Sequence, residues 1–147
     1  IASCLVGSEM CIRDRKKNTS EGNQTAIEAM HKIKQSAIDT KLALLKGDVG
    51  EFARILGEGW ENKKKMAGAI TNPMIQEAFD VATGAGAMAG KVSGAGGGGF
   101  IMFVVEPTRK EEVVRALNNL NGFVMPFQFI DDGAHGWKIY STDKVQK

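Results

Sequence analysis

From Ser20 to Lys46 apolar residues recur at three-, four- and seven-residue steps: Ala26, Met30, Ile33, Ala37 and Leu44, widened by Ile27, Ile38, Leu42 and Leu45. That period predicts one long helix with an apolar face. Gly47 is placed to end it in a left-handed cap. Asp48, with Glu51 three residues on, predicts the capping box of a second helix whose buried side carries Phe52, Ile55, Leu56 and Trp60. Lys63, Lys64 and Lys65 near its end suit the negative pole of the helix dipole; a solvated helix end is the ordinary role of such a run, and contact with a substrate phosphate is the alternative. Asn72-Pro73 reads as an N-cap followed by a first-turn proline. It opens a third helix striped by Ile75, Phe79 and Ala82, which the glycines from Gly84 stop.

The period then changes. Ala87 to Val92 predicts a short strand, and Phe100 to Val105 is a run of six apolar residues, as expected of a central strand. Pro107 opens a helix with Val113, Val114, Ala116, Leu117 and Leu120 as its buried positions. Phe123, Met125, Phe127 and Phe129 alternate at period two, which predicts a strand with all four on one sheet face. Pro126 places that strand at an edge or a bulge. Asp131-Asp132-Gly133 is turn chemistry, and Trp137 to Tyr140 returns as a last strand in a hairpin. The expected architecture is α+β, with helices packed on one face of a small, mostly antiparallel four-stranded sheet.

Composition narrows the function. A chain of 147 residues, 43% of them hydrophobic, can bury a core as one domain without disulfides or a structural metal. It has no apolar run long enough to span a membrane. Nineteen basic residues against seventeen acidic ones, net +2, argue against a nucleic-acid-wrapping polycation, and the phenylalanines alternate inward instead of interleaving with a basic face. His31 falls inside a helix and His135 in the last turn, with no second His or Cys nearby to suggest a metal site. Asp131 and Asp132 read as turn residues.

The N-terminus is set apart. The run Cys4 to Asp14, Cys-Leu-Val-Gly-Ser-Glu-Met-Cys-Ile-Arg-Asp, resembles the translation of a transposon adapter used in sequencing libraries. Glu9, Arg13 and Asp14 interrupt any signal-peptide core. Residues 1–15 are therefore expected to be foreign, and residues 16–147 to be a domain cut from a longer protein. Both cysteines, Cys4 and Cys11, lie in the excluded stretch, and a cysteine-free remainder fits a reducing cytoplasm.

The chemistry is expected where glycine concentrates, with eight glycines in the sixteen residues from Gly84 to Gly99. The densest part is Lys91-Val92-Ser93-Gly94-Ala95-Gly96-Gly97-Gly98-Gly99-Phe100. Four consecutive glycines cost much backbone entropy to order, so the run needs a reason. Positive-φ residues can form concave nests of N–H groups for an anion, and a bare backbone lets a ligand or loop approach closely. Gly94, Gly96 and Gly99 fit G-x-G-x-x-G, yet a strand-like run follows where a dinucleotide loop opens a helix. A Walker loop needs Lys-Ser or Lys-Thr where Phe100 stands.

Lys-x-Ser-Gly-Ala-Gly-Gly-Gly-Gly-Phe before an apolar strand resembles the third conserved motif of the GHMP kinases (galacto-, homoserine, mevalonate and phosphomevalonate kinases). Within that superfamily the chain is most similar to the heptose 7-phosphate kinase branch. That likeness rests on Trp60 with Lys63-Lys64-Lys65, Thr71-Asn72-Pro73-x-Ile75, Gly86 to Lys91, and Pro126-Phe127-x-Phe129. It covers roughly residues 22–140. The resemblance implies a ferredoxin-like C-terminal domain of a cytoplasmic, ATP-dependent sugar or sugar-phosphate kinase. It also implies that the ATP cradle, the Mg²⁺ ligands and the base sit in a preceding N-terminal domain. This chain would then hold no catalytic or metal-binding residue, and its partners would be that domain and a sugar phosphate.

Carried over, the loop Gly94, Ala95, Gly96, Gly97, Gly98 and Gly99 would abut that missing cradle and line the cleft near the phosphoryl-accepting group, with Lys91 and Ser93 the polar residues nearest the site. Lys91 meets a phosphate or an acidic partner, and Ser93 donates a hydroxyl hydrogen bond. Against this stands the plainer reading of Lys91 as a strand-end charge and Ser93 as a turn residue. A rival in another class is a stand-alone, small-molecule-binding module without catalysis, which predicts an ordered loop and ligand binding. The kinase reading predicts no activity for the chain alone, an exposed apolar patch where the missing domain docks, and self-association into a homo-oligomer.

Overall fold

A computed structural model describes residues 12–66, 70–94, 99–133 and 135–136. The described part begins with helical residues 12–20 (α1), a helix that crosses the boundary expected at residue 15; Thr19 Oγ1 donates back to the Arg15 carbonyl at 2.8 Å. Asn18 Nδ2 donates to the Met66 carbonyl at 2.8 Å and ties this helix to the chain just past the third helix.

The long helix expected from Ser20 starts instead at Gln24 and runs to Lys46 (α2). The cause is local: Gly22 turns through φ 72°, and Asn23 caps the new helix by accepting from the Ala26 amide. At the far end Gly47 takes the expected left-handed conformation, φ 69°, and its N–H and that of Asp48 satisfy the Leu44 and Ala43 carbonyls.

Asp48 then caps α3, Val49–Lys64, by accepting from the Glu51 amide at 2.9 Å. The Glu51 carboxylate, expected to close a capping box, turns along the helix to Arg54, at 2.6 and 2.7 Å. A bidentate guanidinium outcompetes a lone backbone amide. Asn72 caps α4, Pro73–Gly84, with Pro73 in the first turn as expected.

Two antiparallel strands follow, β1 Ala87–Ser93 and β2 Phe100–Val105, in register from Ala87↔Val105 to Ser93↔Phe100 with a bulge between Ala87 and Ala89. Pro107–Arg109 makes a short 3₁₀ turn before α5, Lys110–Leu117, so this helix starts three residues later than its proline suggested.

The core lies where the helices meet β1. Ala29, Trp60, Met66, Ile70, Ile75 and Val92 form one buried cluster, with Ile33, Phe79 and Ile101 packed against it. Ala82, Ala85, Ala87 and Val113 form a second, joined by Phe103, Val105, Ala116 and Leu117. The Trp60 and Phe79 rings stack at 5.2 Å, and Phe79 meets Phe103 edge-on at 5.3 Å, so an aromatic row links α3, α4 and β2. Gly90 sits directly under that row. A Cβ there would lie 2.6 Å from the Phe103 ring and 3.0 Å from Phe79, so only glycine fits.

The sheet departs from expectation. Among the described residues it has two strands, not four. Residues 123–130 form no strand, and Phe123 and Phe129 are 75% and 90% exposed instead of sharing a covered face. Pro126 has no amide proton to give a ladder. The expected neighbour, Trp137 to Tyr140, lies outside the described residues. Val124, Met125 and Phe127 nonetheless line an apolar cavity of about 530 Å³ together with Phe100, Met102 and Val113, so the segment lies along the β2–α5 side.

The C-terminal half of α2 is equally uncovered. Ile38, Leu42 and Leu45, at i, i+4 and i+7, share a stripe and are 51%, 50% and 75% exposed.

Candidate functional site

The glycine run connects β1 to β2 as a hairpin, since Ser93 and Phe100 are the last ladder partners before it. This topology disposes of the helix-opening phosphate loops, which need a strand feeding a helix N-terminus. Of the loop, the structure describes its two ends. Gly94 has φ 98° and Gly99 φ 97°, both in the region that disfavours any residue with a Cβ. Ala95, Gly96, Gly97 and Gly98 lie outside the described residues.

Lys91 is half-buried on β1 opposite Met102, and Ser93 is exposed at the strand end. Both therefore stand beside the loop, two residues apart on one strand, and so point to the same side of the ladder. Val92 between them is fully buried and locks the strand into the core.

The first end of the loop is tied to Lys63, from the lysine run whose ordinary role is a solvated helix end. Lys63 Nζ donates to the Gly94 carbonyl at 2.6 Å, and the same ammonium lies 5.9 Å from the Trp60 ring centroid. A cation over an indole contributes about 0.5–1 kcal/mol at a partly exposed site. Lys64, by contrast, pairs with Glu61 at 2.7 Å along its own helix, and Lys65 is exposed.

The second end opens on a cavity of about 630 Å³ between the start of α4 and the turn after α5. Gly99 lines it together with Asn72, Glu77, Phe103, Asn119 and Asn121. Amide and carboxylate side chains over an apolar floor suit a polyol, whose hydroxyls both donate and accept. Asn72 and Glu77 lie more than forty positions before Asn119 and Asn121, so no local motif announces the four together.

Neither histidine joins the site. His31 is exposed on α2, and His135, also exposed, lies 3.8 Å from Asp132. Among the described residues no three His, Cys, Asp or Glu side chains gather into a cation-sized group. No described helix is long and apolar enough to cross a membrane.

Comparison with known proteins bears directly on this hairpin domain. The chain is 41% identical over 128 residues to D-glycero-alpha-D-manno-heptose 7-phosphate kinase of Campylobacter jejuni, covering 87% of this chain and 38% of that protein. It is 25% identical over 91 residues to the L-fucokinase/L-fucose-1-P guanylyltransferase of Bacteroides fragilis, covering 62% of this chain and 10% of that protein.

Among solved structures, a crystal structure assigned as a sugar kinase from Campylobacter jejuni superposes with a TM-score of 0.58 at 43% identity. The mevalonate kinase of L. major, solved with R-mevalonate, superposes with a TM-score of 0.68 at 15% identity, a likeness of fold alone. Each covers 76% of this chain and 34% of the other. The chain thus spans well under half the length of these relatives. Residues 40–121 match the family model for the C-terminal part of GHMP kinases, and with more than half its length so matched the chain belongs to the GHMP kinases, C-terminal domain family.

Proposed function

We propose that residues 16–147 serve as the C-terminal domain of an ATP-dependent sugar or sugar-phosphate kinase, similar to heptose 7-phosphate kinase, which moves the γ-phosphoryl group of ATP to a sugar hydroxyl. The observation that carries this reading is the hairpin: two left-handed glycines bracket a loop beside a cavity with polar side chains over an apolar floor, in a chain 41% identical to a heptose phosphate kinase. Phosphoryl transfer is mainly positioning and charge neutralisation, so a wall of bare backbone at the cleft is useful in itself.

On this reading the chain's own residues bind and orient. Lys91 and Ser93 meet the phosphate side, while Asn72, Glu77, Asn119 and Asn121 hold the acceptor's hydroxyls. Gly94 and Gly99, at the two ends of the run, put no Cβ between the reacting groups. ATP and its Mg²⁺ supply the phosphoryl group and part of its charge neutralisation, and they are held by a preceding domain of the full-length kinase, which also supplies the base. The chain alone is therefore inactive. In the complete protein the β1–β2 pair is part of a four-stranded, ferredoxin-like sheet, and the protein works in the cytoplasm.

The test is kinetic. In the full-length kinase, Gly94→Val and Gly99→Val each force a β-branched residue to positive φ at the cleft. Each is expected to lower kcat/KM for ATP-dependent phosphorylation of a heptose phosphate about 100-fold, the scale of a misplaced reacting group. Rates within threefold of wild type in both variants would overturn the assignment of the hairpin to the site.

A further inference from the structure

The cavity between the start of α4 and the turn after α5, about 630 Å³, falls within the roughly 300–1,000 Å³ range of small-ligand sites. Its charge is one-sided. The α4 wall carries Glu77 and Asp80 and no basic residue. Met74, Glu77 and Ala78, at i, i+3 and i+4, form the face that α4 turns to the cavity. The opposite wall, residues 118–122, reads Asn-Asn-Leu-Asn-Gly and has no charge, and Ile101 and Phe103 of β2 supply an apolar floor. Among the described lining residues there is no Lys, Arg or His.

The backbone offers an anion little more. Pro73 has no N–H, and Asn72 accepts from the Ile75 amide through its side chain and from the Gln76 amide through its carbonyl. Across the cavity, the amides of Asn118, Asn119, Leu120 and Gly122 turn back onto carbonyls of α5 and of the turn itself. Neither wall therefore presents the converging N–H groups that hold a phosphate. What faces a ligand is the Glu77 carboxylate with the Asn119 and Asn121 amides, all three exposed to solvent. A polyol suits this set. Its hydroxyls donate to the carboxylate and accept from the amide N–H groups, and its C–H edges rest on the apolar floor. A phosphate brings acceptors alone, with a charge of about −2 beside a carboxylate.

We propose that this cavity takes the uncharged polyol stretch of the acceptor and rejects a phosphate, with Glu77 as the residue that sets the choice, so that any phosphate ester on the acceptor lies outside it. The link to turnover rests on the kinase reading above, whereas the link from Glu77 to ligand charge does not.

Two measurements keep these apart. With this chain, backbone amide chemical shifts at Glu77, Ala78, Asn121 and Gly122 are followed during titration with a free aldoheptose and, separately, with inorganic phosphate. The heptose is expected to move these signals saturably, and phosphate to leave them in place. Glu77→Gln weakens heptose binding about tenfold, the loss of a charge-assisted hydrogen bond. Glu77→Lys weakens it further and lets phosphate move the same signals. If Glu77→Lys does not fold, the glutamine variant decides alone. Saturable movement of the wild-type signals by phosphate, none by heptose, unchanged heptose affinity in Glu77→Gln, or a folded lysine variant blind to phosphate overturns the proposal.

In the full-length kinase, Glu77→Gln is expected to lower kcat/KM about tenfold alike on a heptose 7-phosphate and on the same heptose without its phosphate, because the ester lies outside the cavity. A change in the ratio of the two beyond about threefold places the phosphate within reach of Glu77, and also overturns the proposal. A wild-type kinase without turnover on any sugar phosphate sinks the kinase reading, while the titration still decides what the cavity takes.

Discussion

At the scale of single residues, the glycines divide by physical cause. Gly47 and Gly94 are needed for a left-handed backbone, while Gly90 has ordinary dihedrals and is needed for space. Gly90→Ala should therefore destabilise by about 1–3 kcal/mol, the usual cost of overpacking, because the Phe79 and Phe103 rings must shift off their edge-to-face contact. A urea titration reads this as a lower midpoint at unchanged slope. A midpoint equal to wild type would show that the rings yield freely. The left-handed role of Gly47 was legible in the sequence, since it directly follows an apolar-periodic helix. The steric role of Gly90 was not, because it depends on rings 11 residues before and 13 after. Lys63 was hidden for the same reason: a lysine run reads as solvent-facing until a distant carbonyl is placed against it.

Elements were legible where the signal is local. The caps at Asp48 and Asn72, the left-handed stop at Gly47 and both strands flanking the glycine run follow from neighbours within four residues. The Asn72 cap carries a direct expectation: Asn72→Ala removes the acceptor for the Ile75 amide and should cost about 1 kcal/mol.

On α3 the Arg54 guanidinium, bonded to Glu51 and reaching Glu58, holds the Glu51 carboxyl below its usual 4.5, and the two carboxylates in turn raise the arginine. A depressed carboxylate favours the folded helix above pH 4.5, and that contribution is lost as pH falls below it, through the folded value. Both partners are exposed, so the effect is small and screened by salt. Helical circular dichroism should fall less steeply below pH 4.5 in Arg54→Gln than in wild type, with the difference shrinking in high salt. Equal slopes would remove the ion pair from the account. The segment from Phe123 to Phe129 shows the limit of such reading. Period-two alternation indicates which residues could share a face, but a strand also needs a neighbour, and none is present among the described residues.

At the scale of the whole molecule, what the chain leaves uncovered matters as much as what it buries. Covering Ile38, Leu42 and Leu45 would contribute about 1 kcal/mol apiece, so water-exposed copies of this stripe should pair in concentrated solution. Sedimentation of the isolated chain is expected to show self-association that Leu42→Glu with Leu45→Glu abolishes. A monomeric wild type would remove the stripe from the account. Family membership was legible because its motif, Lys91 to Phe100, is contiguous in the chain, whereas the cavity beside Gly99 was not, since Asn72 and Asn121 meet only in three dimensions.

The central claim is that this hairpin is one wall of a phosphoryl-transfer cleft completed by another domain. The most direct measurement is transfer of labelled γ-phosphate from ATP to a heptose 7-phosphate, with the chain alone and with it joined to the preceding domain of the full-length kinase. The account predicts no transfer from the first and turnover from the second. Turnover by the chain alone, or none from the joined protein on any sugar phosphate, would contradict it.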